Sequence, residues 1–500
     1  MAIAARRRQR TGVNGRATRT RNVPCVTSTP FATRGVLALG STLLAHLLVA
    51  AIPVKKMILL GSSMEYLAWT AAAGCLLLFM SLSYGWISRV PVPIFGLYLL
   101  VGIACGPWML GLIGIDIVRH APLTSRITEM AMAASLFITG LKIRLPLTSP
   151  YWRMGIMLAL PAMLLTIAGI MLAAHFMADL SWPLSLALAA ILAPTDPVLA
   201  SLVAINDAQD DDRLRIALSS EAGLNDGTAL PFLMLALVWQ KAGGAISAGE
   251  WFHWLSVDLL WALIGGLGIG FVLGRLIGLV ATRSRHAQGE VAPSDFIALA
   301  LICLSFSLAM MLSASGFLAA FAAGIGLRSA EMSVQKRHTS EDDHDLPAEM
   351  QVNPHTRHGL EEHNPIKSVG LVVGDALSFG DTVERLLAAG LVIVLGVTLS
   401  RHWDASALLL AFTVFIIIRP LAVWLLTWRS GESVLHRLSL GWLGIRGIGS
   451  LNYIAYAWTH GLQNAGAITD IAITIVTLSV LVHGISVTPL LTLRRKQEQR

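Results

Sequence analysis

Charge is what this chain has least of. Asp, Glu, Lys and Arg make up only 13% of its 500 residues, against about 25% in a soluble domain. That excludes an ordinary water-soluble globule, and the apolar content excludes a chain that is disordered throughout. Cysteine is scarce too. Cys25, Cys75, Cys105 and Cys303 show no metal-ligand spacing, and three of them lie in apolar segments, where packing is their natural role. Basic residues exceed acidic ones, 37 to 30, but no basic patch points to nucleic acid. The excess gathers in Arg6-Arg7-Arg8, Arg494-Arg495-Lys496 and short loops, as cytoplasmic flanks of membrane spans do. No internal repeat is visible.

What is there is length of apolar sequence. The chain is 55% hydrophobic, in runs of helix rather than barrel-strand length, so the expected fold is an all-α integral membrane protein. Thirteen spans are expected near 65–88, 92–115, 125–144, 150–178, 182–205, 213–240, 252–283, 293–314, 316–329, 384–400, 405–428, 436–459 and 468–493. With the C-terminus inside, Lys142, Arg144, Arg153, Arg283, Arg285, Arg328, Lys336, Arg337, Lys367, Arg429 and Arg437 fall in inner loops, in keeping with the positive-inside bias. Residues 1–56 form a basic extension with an apolar run at 36–54. It reads as an extra span, a cleaved signal sequence, or a stretch upstream of a start at Met57 or Met64. The rest divides into a first membrane part (57–330), a polar loop (331–366), a second membrane part (367–493) and a basic tail (494–500). The loop carries His338, His344, His355, His358 and His363; it reads as a disordered inner loop, with a pH sensor or metal site as the alternative.

Two strings interrupt the apolar runs: Ala193-Pro194-Thr195-Asp196-Pro197 and Glu221-Ala222-Gly223-Leu224-Asn225-Asp226-Gly227. A carboxylate at the centre of a bilayer costs at least ~2.5–3.5 kcal/mol on insertion scales and marks function by default. Pro194 and Pro197 remove the helical donors of the Ala190 and Ala193 carbonyls and push Ala193 and Asp196 out of helical geometry. The span should therefore unwind near Thr195 and Asp196, which membrane proteins tolerate only inside protein or around a wet cavity. The other half has a matching interruption at Gly444-Ile445-Arg446-Gly447-Ile448-Gly449, and paired interruptions point to a transporter site between inverted repeats.

Glu221 and Asn225, four apart, share a helix face, and Asp226 lies about 100° further round. Asp226, the Thr195 hydroxyl, a nearby carbonyl and water form a plausible oxygen cage for a hard monovalent cation. A carboxylate that binds either a proton or a cation is by itself an exchanger. Asp196 has two readings, a member of that cage or a cap for the broken helix ends. Buried Arg446 needs a carboxylate; Glu221 is the expected partner, with Asp196 the alternative. Arg419 is expected to snorkel towards the inner surface. Gly223 and Gly227 are expected to admit the interrupted helix closely, and Glu129 and Asp470 to be interfacial.

These strings resemble the NhaP/NHE-type sodium/proton antiporters of the monovalent cation:proton antiporter-1 family. Weaker support comes from Gly102-Ile103-Ala104-Cys105-Gly106-Pro107, Leu136-Phe137-Ile138-Thr139-Gly140-Leu141 and Gly316-Phe317-Leu318-Ala319-Ala320-Phe321, in matching order across most of residues 65–493. The resemblance implies two crossed discontinuous helices, and a homodimer in which a core domain moves against a dimerisation domain. It implies Na⁺ (or K⁺, Li⁺) exchanged for H⁺ across a cell membrane, the bacterial inner membrane foremost, in the service of pH homeostasis. No cofactor is implied beyond the transported ions. Asp226 would bind Na⁺ or the proton with Thr195 beside it, Asn225 would steady the unwound segment, and Glu221 would pair with Arg446. Asn225 in place of an Asp resembles the electroneutral branch. Relatives often have Ser where this chain has Ala222, so one hydroxyl ligand is missing.

Two other classes compete. An intramembrane aspartyl protease would use Asp196 and Asp226 as its carboxylate pair, but the surrounding strings do not match and Glu221 and Arg446 would have no role. A cation channel would show a pore loop or a ring of charge, and neither is visible.

Overall fold

The computed structural model describes residues 94–196, 203–205, 208–288, 295–338, 346–351 and 365–498, together with Gly74 and Leu78. The readings of residues 1–56, most of the first span, Pro197, and the loop histidines His344, His355, His358 and His363 fall outside them. The chain separates into two compact units, Met1–Cys75 and Leu76–Arg500; the elements that follow belong to the second.

Every regular element among the described residues is helical. In order they are α1 Ile94–Cys105, α2 Ala121–Lys142, α3 Trp152–Ala178, α4 Trp182–Leu192, α5 Arg213–Lys241, α6 248–288, α7 Asp295–Met311 and α8 Gly316–His338. A 3-10 turn at Ala348–Gln351 precedes α9 Pro365–Leu399, α10 Ala407–Thr427, α11 Val434–Trp442, α12 Ile448–Thr459 and α13 Ala465–Glu498. Seven of them (α3, α5, α6, α8, α9, α10 and α13) contain stretches long and apolar enough to cross a membrane. The expectation of an all-α membrane fold holds. Starts are set by local chemistry: the Asp212 carboxylate accepts the Leu214 amide at the head of α5, and Ser433 caps α11. Both are standard N-cap bonds.

Burial sorts the helices. Within its apolar stretch α8 is 83% buried and α5 67%, whereas α6 is only 28% buried and α3 and α10 39%. α5 and α8 both carry charge in mid-span, and their burial supplies the protein partners that lipid cannot give.

Three boundaries differ from the sequence reading. The span expected at 384–400 begins at Pro365. Lys367, Asp375 and Asp381 interrupt the apolar run there, but Val369, Val372, Val373 and Ala376 supply a buried face, which a search for continuous apolar runs misses. The span expected at 316–329 runs on to His338. The loop is not disordered throughout: its first residues, 331–338, continue α8, and 346–351 are folded against it. Buried ions hold that contact. Arg328 Nη2 and Nη1 meet the two carboxylate oxygens of Glu349 at 2.9 and 3.0 Å, and Arg328 Nε donates to the Leu141 carbonyl at 2.7 Å. Glu331 receives the Ala348 amide.

Candidate ion site at two broken helices

α4 stops at Leu192, and backbone without helical structure follows through Asp196. Between α11 and α12, residues 443–447 are likewise irregular. The two breaks meet. The Asp196 amide donates to the Ile445 carbonyl at 2.8 Å, so each stretch supplies a partner that the other lost on leaving the helix.

The charges at the breaks follow the helix dipoles. The Asp196 carboxylate accepts the Ile448 amide, the first of α12, at 2.5 Å, placing negative charge at a helix N-terminus. The Arg446 guanidinium donates to the carbonyls of Ala193 and Pro194 at the end of α4, placing positive charge at a C-terminus. Ser450 Oγ donates to the Ile191 carbonyl at 2.7 Å, and Ser479 Oγ accepts the Arg446 amide at 2.9 Å. The carbonyl of Ala193, expected from the prolines to be orphaned, is thus received by an arginine.

α5 runs unbroken past this junction. Asn225 Nδ2 donates to Thr195 Oγ1 at 2.8 Å, tying α5 to the unwound stretch. The Asn225 side-chain oxygen has no hydrogen-bond partner among the described residues. Thr195, Asp196, Glu221, Asn225, Asp226, Arg419 and Arg446 are all 6% exposed or less. Within reach of a side chain added at Gly449, in the first turn of α12, lie Asp226 Oδ1 at 2.9 Å and the methyl of Met132 at 3.6 Å. Only the absent Cβ lets α12 approach the carboxylate that closely. Tyr453, on the same helix, donates its hydroxyl to the Asp226 carbonyl. The Asp226 carboxylate itself has neither an ion-pair nor a hydrogen-bond partner among the described residues, and its charged neighbour is another carboxylate, Asp196. A small cavity of about 10 Å³ beside the break is lined by Thr195, Asp196, Ser219 and Ala222, close to the room one water needs. Ser219 brings a hydroxyl one turn before Ala222, and that hydroxyl already accepts the Ile205 amide at 3.0 Å.

Two expectations need correction. Glu221 does not pair with Arg446. Its partner is Arg419 of α10, with Nη2 and Oε1 2.5 Å apart. Arg419 does not snorkel: it follows a π-helical stretch, Thr413–Ile418, which shifts the residues after it around the helix axis. It stands eight residues before the end of α10 and is buried, with Nε 3.1 Å from the Cβ position at Gly444. The signal was its mid-helix place, since an arginine about 12 Å from a helix end is too deep to reach the surface easily. The second correction concerns Gly223 and Gly227, which admit α8 rather than the interrupted helix: added side chains would strike Phe321 and Leu318. Of the residues expected at the periphery, Glu129 accepts from Ser125 Oγ at 2.9 Å, and Asp470 meets His402 Nδ1 at 2.6 Å.

Comparison with known proteins identifies the family and the fold. Residues 75–493 match the family model described as "Sodium/hydrogen exchanger, transmembrane". A K(+)/H(+) antiporter NhaP of Alkalimonas amylolytica is 26% identical over 409 residues, covering 80% of this chain and 62% of that protein. Na(+)/H(+) antiporter 2 of Zygosaccharomyces rouxii is 30% identical over 231 residues, 44% of this chain and 27% of that one. The chain thus spans about three-fifths of the length of the NhaP relative. In fold it is similar to the sodium proton antiporter MjNhaP1 of Methanocaldococcus jannaschii, with a TM-score of 0.62 at 19% identity over 86% of this chain and 98% of that one. With a family model matched over most of its length and the same fold, the chain belongs to the transmembrane sodium/hydrogen exchanger family.

Proposed function

We propose that this protein exchanges a monovalent cation for a proton across the membrane, through competition of the two for the Asp226 carboxylate. The observation that carries this reading is Asp226 itself: buried, without a counter-ion among the described residues, and set beside two broken helices. A membrane-buried carboxylate in that position is neutralised either by a proton or by a cation. Because it cannot hold both charges, inward and outward fluxes are coupled. Thr195 offers oxygen to the cation, Asn225 steadies Thr195 and has a free carbonyl oxygen, and Asp196 and Arg446 hold the breaks in register. With one carboxylate, Asp226, binding either ion, one proton replaces one cation, which makes the exchange electroneutral. The cation is Na⁺ or K⁺, since the curated relatives include proteins named for each. A homodimer in a bacterial inner membrane, serving pH homeostasis without a cofactor, completes the reading.

The engagement of Asp196 with the Ile448 amide argues against a protease dyad with Asp226. The test is pH-dye exchange in inverted vesicles with Na⁺, K⁺ and Li⁺ in turn. Asp226→Asn should abolish exchange for every cation while the protein remains folded and inserted. Normal exchange by that variant would overturn the assignment.

A further inference from the structure

A second carboxylate lies deep enough in α9 to matter and has no part in the site above. Glu384 Oε1 accepts a hydrogen bond from Ser135 Oγ of α2 at 2.9 Å. Ser135, Thr139 and Lys142 follow at helical spacing down one face of α2, while Glu384 and Asp381 are one turn apart on α9. At the end of the stripe Lys142 Nζ meets Asp381 Oδ1 at 2.8 Å. Exposure rises along it: Ser135 is 3% exposed, whereas the side chains of Lys142 and Asp381 are 19% and 30% exposed. Lys142 marks the side expected from loop charge to be inner.

The other end of the stripe reaches the ion site. Met132, three residues before Ser135, shares with Asp226 the spot beside Gly449. Ser135, which binds Glu384, is three residues, about 4.5 Å of helix rise, from Met132. The charged groups that act on the Glu384 carboxylate are Lys142, Asp381 and Asp196. Since Lys142 is already matched by Asp381, Glu384 lies between a neutralised pair at the inner end and the break, with a serine hydroxyl as its hydrogen-bond partner. A carboxylate within a span is costly unless it is used, and a single interhelical hydrogen bond of this kind adds little to packing.

We propose that Glu384 is a proton-transfer site between the inner solution and Asp226. As the cation leaves Asp226, the O–H bond of protonated Glu384 breaks. Its proton passes through intervening water to form an O–H bond on the Asp226 carboxylate. Glu384, now a carboxylate, regains a proton from the inner solution past the Lys142–Asp381 pair. Exchange in the other direction reverses each step, and no oxidant, reductant or further reactant takes part.

This rests on the exchange reading, and the experiment separates the two. Glu384→Gln, Glu384→Asp and Asp226→Asn are compared in vesicles of known orientation, with the pH varied on the inner face of the protein. Glu384→Gln should lower the exchange rate about tenfold and flatten its dependence on inner pH. The cation concentration for half-maximal rate should not change, and Glu384→Asp should restore most of the rate. The relay is overturned if Glu384→Gln keeps the wild-type rate and pH profile, if it alters only the half-maximal cation concentration, or if Glu384→Asp is as impaired as Gln. Exchange surviving in Asp226→Asn would overturn the exchange reading instead.

Discussion

Two groups of buried charge in this molecule are built to opposite standards. In the second half of α8, Arg328 is held by both oxygens of Glu349 and by the Leu141 carbonyl, and Glu331 secures the Ala348 amide. Around the helix breaks, charges are as deeply buried but incompletely met. Glu221 and Arg419 stand 2.5 Å apart, yet their polar atoms find no hydrogen-bond partner among the described residues. Among the described residues the Arg446 Nε atom is also unmatched, and Asp226 has no counter-ion. Complete bonding fixes a structure, because removing a partner exposes the full cost of a buried charge. Incomplete bonding leaves free energy available to an arriving ligand. The first group fastens a loop; the second is suited to a site whose charge must change hands.

Substitutions in the two groups should differ in cost. Arg328→Met leaves Glu349 without its cation and Glu331 with Arg144 alone, and should cost about 3–5 kcal/mol, read as a lower unfolding temperature in detergent, with exchange per folded molecule preserved. Glu221→Gln should cost less, about 2 kcal/mol, because the contact it removes lacks hydrogen-bond alignment. The double variant Glu221→Leu/Arg419→Met should recover most of that loss, as buried pairs replaced together often do. If Glu221→Gln proves as damaging as Arg328→Met, the proposed difference in bonding is wrong.

Asn225→Ala removes the bond to Thr195 and should cost about 1 kcal/mol while slowing exchange severalfold. A variant slowed with no change in unfolding would assign Asn225 to the ion rather than to the unwound stretch.

The smallest effect is expected at Asp212. Burial would raise its carboxyl, but hydrogen bonds from Arg494 and from the Leu214 amide outweigh burial and hold it below the usual carboxylate range. A pKa lowered by folding adds stability above the unfolded value, and that stability is lost as pH falls through the native one. Asp212→Ala should therefore cost about 1 kcal/mol at neutral pH and progressively less in acid, by melting at the two conditions.

Much of the site was legible in the sequence because its signals are local. Pro194 and Pro197 dictate a break wherever they occur in a helix, and glycines at 444, 447 and 449 do the same in the other half. The depth of Asp226 follows from the apolar residues on either side of it. What was not legible depends on how helices pack. Nothing near Glu221 says which of two arginines, Arg419 or Arg446, will face it; a π-helical stretch in α10 and the demand of the α4 carbonyls decide that. The partner of Gly223 is Phe321, almost a hundred residues away. The length of α9 was hidden because Lys367, Asp375 and Asp381 break its apolar run without breaking its helix. Glu384 is hidden for the same reason, since it stands where the continuous apolar run begins.

Competition of a proton and a cation for one buried carboxylate can be measured without transport. NaCl or KCl is added to detergent-solubilised protein in weakly buffered solution near neutral pH, and released protons are counted with a pH dye. One proton should appear for each cation bound, and Asp226→Asn should release none. Cation binding without proton release, or release that persists in Asp226→Asn, would contradict it.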